Sequence, residues 1–310
     1  MDAVAVILEA PEQLSLRSLA LNAITPSDIV VEIAWSGIST GTERLLWSGK
    51  MPEFPGMGYP LVPGYESVGR VVDAGAEARG RIGEWVFVPG ANCYQNARGL
   101  FGGSASRVVL PGARAIPIAE SLGANGVLVA LAATAFHALA GQVLPDLIVG
   151  HGVLGRLLAR IAVATGATPP TVWETNAARA EGAEGYAVVH PDADDRRDYK
   201  AIYDASGDGA LLDSLIARLT RGGEVVLAGF YDKPLNFNFP PAFMREAKLR
   251  IAAEFLPSDL EAVTNMIASG ALSLDGLVTH TRAASAATEA YPVAFTDPAC
   301  LKMVLDWNTL

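Results

Sequence analysis

The stretch from Asp146 to Glu174 restricts what this chain can fold into more than any other. It opens with Leu147-Ile148-Val149-Gly150, a short apolar run fit for a strand buried on both faces. Gly150-His151-Gly152-Val153-Leu154-Gly155 follows, which is G-x-G-x-x-G. Leu154, Leu157, Leu158 and Ile161 then fall at i, i+3, i+4 and i+7, with Arg156 and Arg160 on another face. This predicts a helix that Gly166 can stop. Thr171-Val172-Trp173-Glu174 reads as a second strand ending in an acid, nineteen residues after Gly155. The first glycine makes the tight turn, the second lets a pyrophosphate approach the backbone, and the third packs helix on strand. The helix start offers free N–H groups to phosphates. With strand, turn, helix and distal acid in register, the stretch predicts dinucleotide binding by Gly150, His151, Gly152, Val153, Leu154 and Gly155.

Glu174 bears on which dinucleotide. A carboxylate at the end of the second strand can accept hydrogen bonds from both ribose hydroxyls and would repel a 2′-phosphate, which favours NAD over NADP. Arg179 is near enough in sequence to offer a phosphate partner, but a solvated helix charge is the plainer reading for it.

At 310 residues the chain suits two domains or one large one. An apolar fraction of 51% with 18% charged residues marks it as globular rather than disordered. A formal charge of −10 without a basic run argues against nucleic acid and against an anionic membrane surface. Cys93 and Cys300 are the only cysteines, too few for a disulfide framework or a four-cysteine zinc lobe. The longest apolar stretch, Val127 to Leu139, is too short to span a bilayer and contains His137. Met1-Asp2 has no basic n-region behind it, so a cytoplasmic location is expected.

The first 120 or so residues read as β-rich, with strands around Val4 to Leu8, Ile29 to Trp35, Val68 to Val72, Trp85 to Val88 and Arg107 to Leu110. Met51 to Pro60 carries too many breakers to be helical. After about Ser121 helices and strands alternate: a helix over Val127 to Leu139, then strands at Ala187 to Val189 and Ala201 to Asp204. A helix around Leu211 to Leu219 follows, ended by Gly222-Gly223, with a return to strand from Glu224 to Ala228. This is the doubly wound α/β pattern, whose ligand sits beyond the carboxyl ends of the strands. Asp204-Ala205-Ser206-Gly207 and Gly229-Phe230-Tyr231 lie at two such ends and are expected to line the cofactor site. Ser258-Asp259-Leu260-Glu261 looks like a capping box opening one more helix. The expected division is 1–121 with 271–310 as a β-rich domain and 122–270 as the dinucleotide-binding domain.

A β-rich half followed by a nucleotide-binding half resembles the medium-chain dehydrogenase/reductase superfamily. The likeness is carried by Gly37 to Glu43, Pro63 to Gly69, Gly102 to Ser106 and Ala133-Thr134-Ala135. Ser36 to Gly49 (SGISTGTERLLWSG), Phe54 to Glu66 (FPGMGYPLVPGYE) and Cys300 to Trp307 (CLKMVLDW) resemble its bacteriochlorophyll-synthesis branch, the 3-hydroxyethyl bacteriochlorophyllide dehydrogenases. The resemblance implies a GroES-like catalytic domain beside a Rossmann domain, and oxidation of a ring-bound 1-hydroxyethyl group to acetyl. It also implies Thr134 packed against the nicotinamide and a homodimer through nucleotide-domain edges. Where zinc-dependent members place a cysteine, a histidine and a third ligand, this chain has Ser39 (or Thr40), Tyr65 and Ala130. Hydroxyls are poor zinc ligands and alanine is none, so no protein-bound metal is expected.

Zinc would have lowered the pKa of the alcohol, so a polar side chain must take that part. The candidates are Ser39, Thr40, Thr42, Glu43, Tyr65 and Glu66, with Tyr65 or Thr42 contacting the substrate oxygen and Glu43 or Glu66 orienting the relay. Loop-stabilising hydrogen bonds are the plainer alternative for each. Trp47, Met51, Phe54, Met57 and Tyr59 could form an apolar rim against a flat magnesium–bacteriochlorin macrocycle, or could simply pack their loop. Arg44 or Lys50 could meet a propionate, though surface cations are commoner. His137, His190 and His280 read as structural, and His151 as closer to a pyrophosphate than to catalysis. Two other functions fit the sequence: a zinc-free enone or quinone reductase, and a non-catalytic nucleotide- and pigment-binding protein.

Overall fold

The computed structural model describes every residue except Phe54 and Asp232. The chain divides into two units, Met1–Ala130 with Asp275–Leu310, and Leu131–Leu274.

In the first unit β1 (Asp2–Ala10) and β2 (Gln13–Ala20) form an antiparallel hairpin. β3 (Asp28–Ile38), helix α1 (Thr42–Ser48), β4 (Ser67–Ala74), β5 (Trp85–Val88), β6 (Arg107–Pro111) and β7 (Ile116–Pro117) follow. Ile29, Val30 and Val31 are all buried, so β3 is covered on both faces and serves as the central strand. β4 and β6 pair with it antiparallel.

The second unit begins within α2 (Val129–Leu139). It continues through β8 (Leu147–Val149), α3 (Val153–Ala164), β9 (Thr171–Trp173), β10 (Ala187–Val189), β11 (Tyr199–Asp204), α4 (Leu212–Ile216), β12 (Leu219–Leu227), α5 (Phe239–Arg245), β13 (Lys248–Ile251) and α6 (Pro257–Ala268). Its six strands run parallel in the order β10-β9-β8-β11-β12-β13, so the chain reverses direction across the sheet between β8 and β11. The α/β doubly wound reading holds.

The chain then re-enters the first unit with β14 (His280–Ala283), α7 (Ala287–Thr296) and β15 (Met303–Asp306). β15 lies antiparallel to β3, with Met303 opposite Ile38. That register carries Lys302 to the end of β3, where the catalytic candidates begin.

Three local expectations are corrected. Gly222-Gly223 does not end a helix: α4 stops at Ile216 and both glycines lie inside β12, where the pairing with β11 shifts register. Gly222 has φ +76°, so it supplies the irregular backbone of that shift. The last helix of the second unit is capped two residues earlier than expected. Leu256 is its N-cap and donates its amide to the Asp259 carboxylate at 2.6 Å, with Pro257 at the first helical position. The apolar helical run also extends back to Glu120 and is by length and composition a candidate span, but more than half of it is buried, as in a core helix.

Candidate active site

The glycine-rich turn separates the jobs of its three glycines. Gly150 has φ +95°, which a side chain would strain. A Cβ on Gly155 would stand 1.8 Å from the Gly150 carbonyl oxygen, so only glycine lets α3 meet β8. A Cβ on Gly152 would meet nothing within 4 Å, so the space above it is left open. Gly152 is also the N-cap of α3 and makes no side-chain cap, leaving the first-turn amides of Val153 and Leu154 to an outside acceptor. This open cradle over uncapped amides fits a diphosphate.

Glu174, just past β9, accepts the His151 amide at 3.0 Å and the Asn176 amide at 2.8 Å. The His151 imidazole is fully buried, and both its ring nitrogens are within hydrogen-bond distance of protein groups. Its Nδ1 lies 2.6 Å from the Arg179 carbonyl and its Nε2 lies 2.8 Å from the Tyr186 hydroxyl. A carbonyl only accepts, so Nδ1 carries the proton and Nε2 accepts from Tyr186. Burial lowers its pKa to about 4, and the ring is neutral near pH 7.

Ala205 and Ser206 follow the end of β11, Gly229 and Phe230 follow β12, and Thr134 is half-buried on α2. Asp204 and Tyr231, from the same two strand ends, are joined by a hydrogen bond. Asp204 is buried, accepts the Tyr231 hydroxyl at 2.8 Å and the Ser206 amide at 2.9 Å, and has its pKa raised by burial.

In the first unit Ser39, Thr42, Glu43, Tyr65 and Glu66 stand on one framework at the end of β3, while Thr40 is exposed. Ser39 Oγ and the Tyr65 hydroxyl lie 2.6 Å apart, and Thr42 adds a hydrogen bond to the same phenol. Burial, with the nearby Glu66 charge, pushes the Tyr65 pKa well up, so the phenol stays protonated. Glu43 is buried, accepts the Ser39 amide at 3.2 Å, and accepts the Tyr291 hydroxyl at 2.7 Å. Glu66 is buried and accepts Lys302 Nζ at 2.6 Å, while the same ammonium reaches the Ile38 carbonyl at 3.3 Å. A Cβ on Gly37 would fall 2.5 Å from Glu66 Oε2, so glycine there makes room for the carboxylate. Lys302 and Tyr291 were not among the expected residues; a lysine inside the apolar run Leu301 to Leu305 was the one hint.

Trp47, Met57 and Tyr59 pack, partly buried, on the small cluster of Leu8, Leu46 and Leu61. The Trp47 ring stands 5.7 Å from Phe295, and the Tyr59 hydroxyl donates to the Leu46 carbonyl. Phe54 lies outside the described residues, and Arg44 and Lys50 are exposed. Among the described residues no group of three His, Cys, Asp or Glu stands together to hold a metal ion.

Glu43 carries a pH signature. Burial raises its pKa from 4.5 to about 7, although the Tyr291 hydrogen bond opposes the shift. The folded chain therefore holds a proton that the unfolded chain releases earlier. Stability falls as pH rises between those two values, by at most about 3 kcal/mol. Glu43→Gln is expected to flatten this slope and raise stability above pH 7, read by urea unfolding at pH 5 and pH 8.

A doubly wound dinucleotide cradle on one unit and a hydroxyl-and-carboxylate cluster on a β-rich unit define an oxidoreductase of the alcohol dehydrogenase class. Residues 25–120 match the alcohol dehydrogenase GroES-like domain. The chain is 60% identical to the 2-desacetyl-2-hydroxyethyl bacteriochlorophyllide A dehydrogenase of Cereibacter sphaeroides, over 99% of both chains. Among solved structures it is similar to the acetophenone reductase of Geotrichum candidum in complex with NAD, with TM-score 0.85 and 18% identity over 100% and 98% of the two chains. It is also similar to an NADP-bound dehydrogenase from Sinorhizobium meliloti, with TM-score 0.82 and 22% identity over 99% of each. The chain belongs to the medium-chain dehydrogenase/reductase superfamily, and within it to the bacteriochlorophyllide dehydrogenase family.

Proposed function

We propose that this chain oxidises the 3-(1-hydroxyethyl) group of a bacteriochlorophyllide to acetyl, in the cytoplasm, with NAD as hydride acceptor and without protein-bound zinc. The reading rests foremost on the full-length 60% identity to a relative of that name. The cofactor supplies the hydride chemistry; the chain must position the alcohol and take its proton. Tyr65 is too poor an acid to stand as a phenolate, so it acts as a relay. It receives the substrate hydroxyl proton while handing its own to Ser39 Oγ, 2.6 Å away, and Ser39 in the same shift releases its hydroxyl proton to solvent water. Glu43 fixes Ser39 through the backbone, and the Lys302–Glu66 pair fixes the residue next to Tyr65.

A side-by-side pair of hydroxyls at two expected zinc-ligand positions supports zinc-free chemistry. Glu174 supports NAD, because an ionised carboxylate repels a 2′-phosphate and keeps acceptor capacity beyond its two amide bonds. Trp47, Met57 and Tyr59 would meet the macrocycle, whose magnesium belongs to the substrate, and Arg44 or Lys50 its propionate.

The test incubates the purified chain with 3-hydroxyethyl bacteriochlorophyllide and either NAD or NADP, following reduced dinucleotide and pigment absorbance together. NADH formed in step with an acetyl-shifted pigment is expected. Tyr65→Phe is expected to lower kcat by roughly 100-fold. Turnover of an enone or quinone instead would make the chain a reductase, and binding without turnover would make it a carrier.

We propose further that two copies associate through the β13 edge. β13 ends the sheet, and Ile251 on it is 77% exposed. Met244 and Phe243 on the preceding α5 are exposed as well. An open apolar strand edge of this kind suits pairing with its own copy. Sedimentation of the wild type as a dimer, and of Ile251→Lys as a monomer, is the expected result.

A further inference from the structure

In a doubly wound sheet a helix usually covers the crossover between neighbouring parallel strands. Between β9 and β10 this chain has only the short turn Ala177–Arg179, so residues 174–186 form a strap largely without a helix's own hydrogen bonds. One side chain serves its carbonyls instead. Arg156, 4% exposed in the first turn of α3, donates through Nη1 to Gly182 O at 3.1 Å. Its Nη2 donates to Arg179 O at 3.0 Å and Glu181 O at 2.6 Å. Its Nε donates to His151 O at 3.0 Å, back on the glycine-rich turn. Gly182 has φ +82°, and a Cβ there would stand 2.5 Å from Nη1, so the strap is bent closely around the guanidinium.

His151 is fastened at every polar atom. Its carbonyl takes Arg156, its amide takes Glu174, and its ring bridges Arg179 O and the Tyr186 hydroxyl. Turn and strap are thus one braced body, and Glu174 is part of it.

We propose that Arg156 is a positioning residue for the adenosine half of the dinucleotide, holding the strap on the glycine-rich turn so that Glu174 and the turn amides keep their register. The inference rests on the dinucleotide-binding reading above. Lysine cannot replace it, because a single ammonium cannot reach four acceptors that a planar five-donor fork spans.

The experiment titrates the wild type, Arg156→Met, Arg156→Lys and Tyr186→Phe with NADH, NADPH, ADP-ribose and reduced nicotinamide mononucleotide by calorimetry. Both Arg156 variants are expected to bind NADH and ADP-ribose roughly tenfold or more weakly, since buried carbonyls lose their donor, with mononucleotide binding unchanged. Tyr186→Phe is expected to weaken ADP-ribose about threefold. In turnover the loss should fall on KM for the dinucleotide rather than on kcat. Amide exchange across 176–186 should quicken in the same order. Variants that fold and bind ADP-ribose as the wild type does would overturn the proposal, as would rescue by lysine. A wild type that binds neither NADH nor NADPH would overturn the dinucleotide reading itself, and the proposal with it. Should the Arg156 variants fail to fold, Tyr186→Phe, which keeps the guanidinium, decides by the same threefold criterion.

Discussion

Lys302→Met is expected to destabilise the chain by about 3–5 kcal/mol, enough to remove much of the stability of an ordinary domain. Lys302 is 2% exposed and Glu66 wholly buried, so solvent cannot take over when the ammonium goes. Glu66 Oε1 has no hydrogen-bond partner among the described residues, so its charge depends on the bond from Lys302 to Oε2. Methionine fills a similar volume, which assigns the loss to the stranded charge rather than to a cavity. The double variant Glu66→Gln/Lys302→Met should recover most of it, because a buried ion pair replaced as a whole is often close to neutral. Guanidinium unfolding of the three proteins at pH 7 reads the result. A Lys302→Met protein as stable as the wild type would mean that Glu66 finds another partner.

Gly155→Ala and Gly152→Ala are expected to lose dinucleotide binding by roughly 100-fold or more, for opposite reasons. At Gly155 the new methyl would lie 1.8 Å from the Gly150 carbonyl, so β8 and α3 must part and stability falls too, by about 1–3 kcal/mol. At Gly152 the methyl meets no protein atom within 4 Å, so stability should hold while the methyl obstructs the bound phosphate. Calorimetry with NADH beside thermal melts separates the two. If Gly152→Ala bound NADH normally, the cradle would not be where the diphosphate sits.

The nucleotide unit was readable from sequence because its signals are local. The apolar tetrad before Gly150, the 3.6-residue spacing after it and the acid at Glu174 all fall within one strand–helix–strand span. The turn's glycines could be assigned separate jobs, but the direction of the His151 ring could not, since it depends on Tyr186, 35 residues away. The helix expected to reach Leu219 ends at Ile216, because Leu219 is recruited to pair with Tyr199 of β11. The hydroxyl cluster was half legible. Ser39, Thr42 and Glu43 are neighbours in sequence, and Tyr65 and Glu66 are adjacent, whereas Tyr291 meets Glu43 across 248 residues and Lys302 meets Glu66 across 236. No periodicity reports on contacts of that length. The register of β15 on β3 carries Lys302 to Glu66, and α7 carries Tyr291 to Glu43.

That register has a consequence during synthesis. β3 and β4 leave the ribosome long before β15, so Glu66 has no cation to settle against while the whole of Leu131–Leu274 is being made. The nucleotide unit is continuous in sequence and is complete before β15 is made, so it can mature first as a unit. The β-rich half, lacking β15 beside its central strand, must wait with that flank of β3 open. A stalled nascent chain is then a folded nucleotide unit trailing an unsealed sheet, a natural client for chaperones.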